Sequence, residues 1–194
     1  PVDIIVTPMV ALVTGGLAGG FVGPYVQSFM HWVGNLINEA TMLRPLPMGI
    51  IVGVAVGMAL TLPISSAALC IMMDLNGLAA GAAVAGCCAQ MVGFAVVSFR
   101  ENGVGGLLSQ GLGTSMLQIP NIMRRPQIWI APTVASGLCG AVSAALLGMT
   151  NNAAGAGMGT SGLVGQFGAI ASMGASPKTF LLIGLAHFLL PAAA

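Results

Sequence analysis

The chain has 194 residues, 57% of them hydrophobic and 5% charged, with a formal net charge of +1. Soluble domains carry roughly 25% charged residues, so this chain cannot cover itself with a solvated surface. No basic cluster offers itself to nucleic acid, and the composition implies an all-α, polytopic integral membrane protein whose main partner is the lipid bilayer.

Residues 4–27 form the first apolar run, long enough for one crossing. Its paired glycines, Gly15-Gly16 and Gly19-Gly20, give it a smooth packing face, and Pro24 is expected to end it. Residues 28–44 differ. Phe29, Trp32, Val33, Leu36 and Ile37 interleave with His31, Asn35, Asn38 and Glu39 at helical spacing. This predicts a helix lying in the interface, closed by Arg44-Pro45. Further crossings are expected over 46–73, with Pro63 inside, and over 78–99, with Gln90 near its middle. Gln90 is read as a helix-to-helix hydrogen-bonding carboxamide.

Residues 103–122 are too polar and too rich in glycine for a lipid-exposed span. They read as a re-entrant hairpin, because irregular backbone at membrane depth must be covered by protein or line a cavity. Residues 127–149 form the next crossing. Residues 151–176 read as a second re-entrant segment, and 179–194 as an incomplete crossing. The sum is about five crossings, two re-entrant hairpins and one interfacial helix in a single membrane domain, 1–194. The chain opens without Met or a leader and stops within an apolar run, so it is expected to be a fragment of a larger transporter fold. Cys70, Cys87, Cys88 and Cys139 sit in apolar runs without a Cys-x-x-Cys or a neighbouring His. They read as small buried thiols, with no metal site and no cofactor.

One polar phrase occurs twice, as Gly111-Leu112-Gly113-Thr114-Ser115 and as Gly157-Met158-Gly159-Thr160-Ser161. Gln118 and Gln166 follow the two copies. Alternating the crossings puts Arg44, Arg100, Arg124 and Arg125 on one face, which the positive-inside rule makes cytoplasmic. The two phrases then enter from opposite faces, and paired broken segments in two halves mark a transporter's binding site. Thr114, Ser115, Gln118, Thr160, Ser161 and Gln166 are therefore the candidate solute-binding residues, with Asn151 and Asn152 reaching the same cavity. Each offers donors and acceptors suited to hydroxyls. Glu101, at the mouth of the first hairpin, and His187, an ionisable group inside the final apolar run, are candidates for proton coupling.

The stretch from Ala80-Gly81-Ala82-Ala83-Val84-Ala85-Gly86 through Ser98-Phe99-Arg100-Glu101-Asn102-Gly103, Gly111, Pro120-Asn121-Ile122 and the basic pair before Pro126 resembles the membrane-embedded IIC components of the bacterial sugar phosphotransferase system. More narrowly it is similar to a IIC-like branch found apart from the usual phosphocarrier domains. The opening Ile5-Val6-Thr7-Pro8 to Gly23-Pro24 is similar to a Pro-bounded IIC helix. The resemblance implies a homodimer in the bacterial inner membrane, a sugar substrate held by broken helices, and separate phosphocarrier proteins. Glucose-type relatives carry a Gly-Ile-Thr-Glu motif whose carboxylate engages the sugar. Here the corresponding stretch is Gly111 to Ser115, with Thr114 or Ser115 in place of the Glu, so no catalytic residue is assigned. Hydroxyls hold a sugar but are poor bases at neutral pH. The expectation is a permease that holds its solute between the two phrases. A membrane sensor using the same fold to bind a small molecule or lipid, and a full sugar phosphotransferase component, are the alternatives.

Overall fold

The computed structural model describes residues 3–194. Among them every extended element is helical. In chain order they are α1 (Asp3–Leu43), α2 (Pro45–Thr61), α3 (Ser66–Met72), α4 (Gly77–Val97), α5 (Phe99–Leu108), α6 (Ile119–Arg124), α7 (Ile130–Ala141), α8 (Ala153–Ala156), α9 (Val164–Met173) and α10 (Pro177–Ile183). The helix begun by α10 continues through a widened turn to Ala193. Helices Ile5–Leu43, Gly77–Val97 and Pro126–Leu146 are long and apolar enough to cross a membrane, and Pro45–Thr61 and Pro177–Ala193 are shorter apolar helices. The protein is an all-α integral membrane protein.

The fold is built on α2, α4 and α7. Helix α4 is Ala- and Gly-rich and buried along nearly its whole length. Small residues let its backbone approach its neighbours without a side chain between them. A methyl group on Gly86 would collide with the main chain of Gly53, and one on Gly140 with the carbonyl of Gly49. Hydroxyls bridge what remains. Ser136 donates to the Gly86 carbonyl at 3.0 Å, and Ser143 to that of Gly81 at 2.9 Å.

These contacts also fix direction. Gly53 and Gly57 lie against Gly86, and Thr61 bonds Gln90, so α2 and α4 run parallel. Helix α7 runs against both, since Ser136 meets Gly86 and Ser143 meets Gly81. Parallel neighbours require the intervening chain to return. Residues 46–73 are therefore not the single crossing that the sequence led us to expect. Helix α2 stops at Thr61 because Leu62, which precedes Pro63, is forced to extended backbone (ψ 157°). Helix α3, capped by the Ser65 hydroxyl on Ala68 N, carries the chain back toward the start of α4.

The return overturns the expected charge pattern. Arg44 opens α2 at the Asp74 end of the bundle, while Arg100, Arg124 and Arg125 lie at the other end, beyond the C-terminus of α4 and before α7. The four arginines do not share a face.

The first helix also differs from expectation. Pro24 lies inside α1 and does not end it, and no separate interfacial element spans 28–44. In apolar surroundings the backbone has no water to bond, so the helix persists through a proline. Its second half docks on the α3–α4 link. Asn38 Nδ2 donates to the Asp74 carbonyl at 3.0 Å, and Asn76 N donates back to Asn38 Oδ1 at 3.3 Å.

Candidate functional site

The two repeated phrases are the tips of two helical hairpins that enter the bundle from opposite ends. The first is formed by α5 and α6. Gly103 turns the chain back with φ 58° and ψ −154°, a conformation that needs glycine. The segment then runs inward until Gly111 lies beside Ala95 and Ser115 bonds Thr61, at the level of Gln90. The second is formed by α8 and α9. It starts at the other end, where Asn151 pairs with Gly77, and reaches inward until Gly159 lies against Cys87 and Cys88. A side chain at Gly159 would strike that backbone, and its φ of 55° favours glycine as well. Leu163, at φ 60°, is a non-glycine residue in the left-handed region at the same tip.

The tips touch. Thr160, fully buried, donates its hydroxyl to the main-chain carbonyl of Gly111, and the same oxygen lies 3.5 Å from Met91 Sδ. The structure therefore brings the two phrases together, through one residue of each.

Most of the other candidate residues support these tips. Thr114 accepts from Met116 N at 3.2 Å and so caps its own short turn. Ser115 is buried and shares a 2.9 Å hydrogen bond with Thr61. Thr61 in turn donates to Gln90 Oε1 at 3.2 Å, which also accepts from Trp129 Nε1 at 3.1 Å. Gln90 is thus the hub joining α2, α4, the first tip and the entry to α7. Asn151 donates to the Gly165 carbonyl at 2.9 Å, and Asn152 caps α8 by accepting from Gly155 N at 2.8 Å. Ser161 is half-buried at the second tip. Gln166 Nε2 lies 3.1 Å from His187 Nδ1 and 3.7 Å from Cys88 Sγ. Gln166 Oε1 and His187 Nε2 are buried without a partner among the described residues.

Two of the sequence candidates, the buried Gln118 and the exposed Glu101, border open space. They line a cavity of about 520 Å³ at the base of the first hairpin. Its other polar residues are Ser98, Asn102, Asn121, Arg124 and Arg125, and its apolar wall is Phe94, Val97 and Ile128. One side is fixed by a chain of carboxamides. Asn121 donates to Gln118 at 2.8 Å, Gln118 to Gln110 at 2.9 Å, and Gln110 to the Ser98 hydroxyl at 3.0 Å. Sequence reading treats Arg124 and Arg125 as boundary markers and does not place Asn121 in a site. Their signal is position: Glu101 precedes the hairpin and the basic pair follows it, so a closed hairpin makes them neighbours.

A family model described as "Phosphotransferase system, EIIC" matches residues 1–194. The chain belongs to that family. No curated protein and no solved structure matches this EIIC chain. Membership makes it a membrane component of the sugar phosphotransferase system, acting as a sugar permease alongside the other components of that system. The two hairpins and the cavity are the features of this EIIC in which solute handling is to be sought.

Proposed function

We propose that this EIIC carries a sugar, or a closely similar small polar solute, along a path between the two hairpin tips. The hairpins are read as re-entrant, and the Thr160–Gly111 contact as the closed point of the path. The observation that carries this reading is that contact itself. Two glycine-rich tips enter from opposite ends, meet inside the bundle, and do so through a hydroxyl and a main-chain carbonyl. Those groups can exchange each other for the hydroxyls of a solute at little cost in hydrogen bonds. The cavity at the base of the first hairpin is the antechamber. Its acceptors and donors suit hydroxyls, and its apolar wall suits the C–H face of a sugar ring.

In this reading Thr160 and the Gly111 carbonyl touch solute directly, with Ser161 beside them at the second tip. Gln118 receives solute in the cavity. Thr114, Ser115, Asn151 and Asn152 position the tips. Glu101 is the proton-coupling candidate that solute reaches, and His187 acts through Gln166 on the second hairpin. We place the protein in the bacterial inner membrane as a homodimer that works with separate phosphocarrier proteins.

The test is uptake by proteoliposomes of purified protein across a panel of labelled sugars, with and without phosphocarrier proteins. One sugar should enter saturably, and Gln118→Leu should raise its KM. Failure of every sugar to enter under both conditions contradicts the reading.

A further inference from the structure

We infer that the apolar groove between α1, α2 and α3 is a site for one acyl chain of an ethanolamine phospholipid, with the phosphate on Arg44 and the ammonium on Asp74 at the groove's mouth.

The groove holds about 240 Å³. Its walls include Met30 and Ile37 of α1, Met48 and Ala59 of α2, and Leu69 and Met73 on the α3 side. That volume falls below the roughly 300–1,000 Å³ of drug-sized sites and suits a narrow chain. The one polar residue in the walls, Ser66, spends its hydroxyl on the Gly157 carbonyl at 2.6 Å. Water finds no partner there, and at membrane depth the available occupant is hydrocarbon.

Length and direction agree. Helix α1 approaches Arg44, α2 leaves it, and α3 leads back to Asp74 at the same end, so the three helices share one mouth. The α2 wall runs from Met48 to Ala59. At a rise of 1.5 Å per residue this is about 16 Å, close to half of a hydrocarbon core about 30 Å thick. A chain from one leaflet spans that distance.

The mouth carries charge of both signs. Met30, Ile37 and Arg44 are spaced by seven, close to two helical turns, so Arg44 starts on the groove face of α1. It also lies one turn before Met48, whose N–H donates to the Arg44 carbonyl at 3.2 Å. Asp74 sits between the wall residues Met73 and Leu75, in a left-handed turn (φ 50°) whose carbonyl accepts from Asn38. Both charged residues are exposed, and neither side chain makes a hydrogen bond or ion pair among the described residues. Glu39, another acid at this end, is two residues from Ile37 and so on a different face of α1. A guanidinium matches phosphate. A carboxylate at the same mouth selects a headgroup that also carries a cationic donor. Phosphatidylglycerol lacks the cation, and the cation of phosphatidylcholine has no N–H to donate.

The groove also adjoins the second phrase. Ser66 holds Gly157, and the wall residue Val56 accepts at its carbonyl from Cys87, which also bonds Ala156. A chain in the groove braces the surface on which the second hairpin rests.

The test titrates delipidated full-length protein in detergent with phosphatidylethanolamine, phosphatidylglycerol and phosphatidylcholine of equal chain length, and reads bound lipid by native mass spectrometry. Phosphatidylethanolamine should bind about tenfold more tightly than the other two. R44Q should weaken all three. D74N, which keeps a residue at ease in the left-handed turn, should abolish the preference over phosphatidylglycerol. A55F fills the groove from an exposed position on its wall, and should remove tight binding while the helical circular dichroism stays unchanged. K178Q, a cation at the same end but outside the groove, should bind lipid as the parent does. Phosphatidylethanolamine with a photoreactive tail should label the α2 and α3 walls. Equal binding of the three lipids, or full binding by A55F, overturns the proposal. So does labelling confined to other helices, or a second copy of the chain cross-linked into the groove in place of lipid.

Discussion

Thr160, in the tip of the second hairpin, donates its hydroxyl to the main-chain carbonyl of Gly111, in the tip of the first. These residues are 49 apart in sequence; Gly111 opens one copy of the phrase, and Thr160 is the fourth residue of the other. The contact is the one direct hydrogen bond between the phrases among the described residues, and its Thr160 end is fully buried.

Removing that bond should loosen the closed state. Thr160→Val keeps the shape and deletes the hydroxyl, leaving the Gly111 carbonyl without its donor. A side-chain hydrogen bond in a membrane bundle is worth about 0.6–2 kcal/mol. Thermal unfolding in detergent should fall by a corresponding few degrees, and solute leak through proteoliposomes should rise. An unchanged leak would mean that the path does not pass here.

Gln90 should behave as a structural hub. Gln90→Leu leaves the Trp129 indole N–H without its acceptor and the Thr61 hydroxyl with Ser115 as its one remaining side-chain partner. Stranded buried groups cost about 1–3 kcal/mol each. In a Trp32→Phe background Trp129 is the only tryptophan left in the chain. Its emission should shift when the indole loses its partner, and the melting temperature should drop.

The parallel packing of α2 on α4 rests on absent side chains. Gly86→Ala places a methyl against the main chain of Gly53. Overpacking costs about 1–3 kcal/mol when side chains can adjust, and here the obstacle is backbone. The expected result is a large loss of folded protein after detergent extraction. Gly93→Ala, on the same helix but 3.8 Å from the nearest side-chain atom, should be tolerated.

The charge distribution gives a test of topology. Arg44→Cys and Arg125→Cys should react with an impermeant maleimide from opposite sides of sealed vesicles. The native cysteines, all buried, should contribute little background. Labelling of both from one side would restore the single-face arrangement that the sequence implied.

That arrangement failed for a definable reason. The hydropathy of 46–73 shows one long apolar stretch, and the return of the chain is hidden in Pro63 and in helix α3, which is apolar like its neighbours. Period and length cannot distinguish a span from a helix that stops halfway and comes back. The helix breaks at the two phrases were legible, because both carry glycine and hydroxyls where a lipid-facing helix would not. What those hydroxyls do was not legible. Ser115 and Thr114 look like ligands for solute, but one is bonded to Thr61 and the other to its own turn. The cavity arginines were visible only as the end of a segment. Their neighbourhood with Glu101 depends on the hairpin closing, which no local pattern records.

We propose that solute passes between the two tips, and a cross-link at their contact tests it. Gly111→Cys and Thr160→Cys, combined in one chain, place two thiols at the contact. Uptake of the transported sugar is measured in proteoliposomes before and after oxidation. The disulfide should form, stop uptake, and release it when reductant is added. Full uptake through the cross-linked protein would contradict passage between the tips.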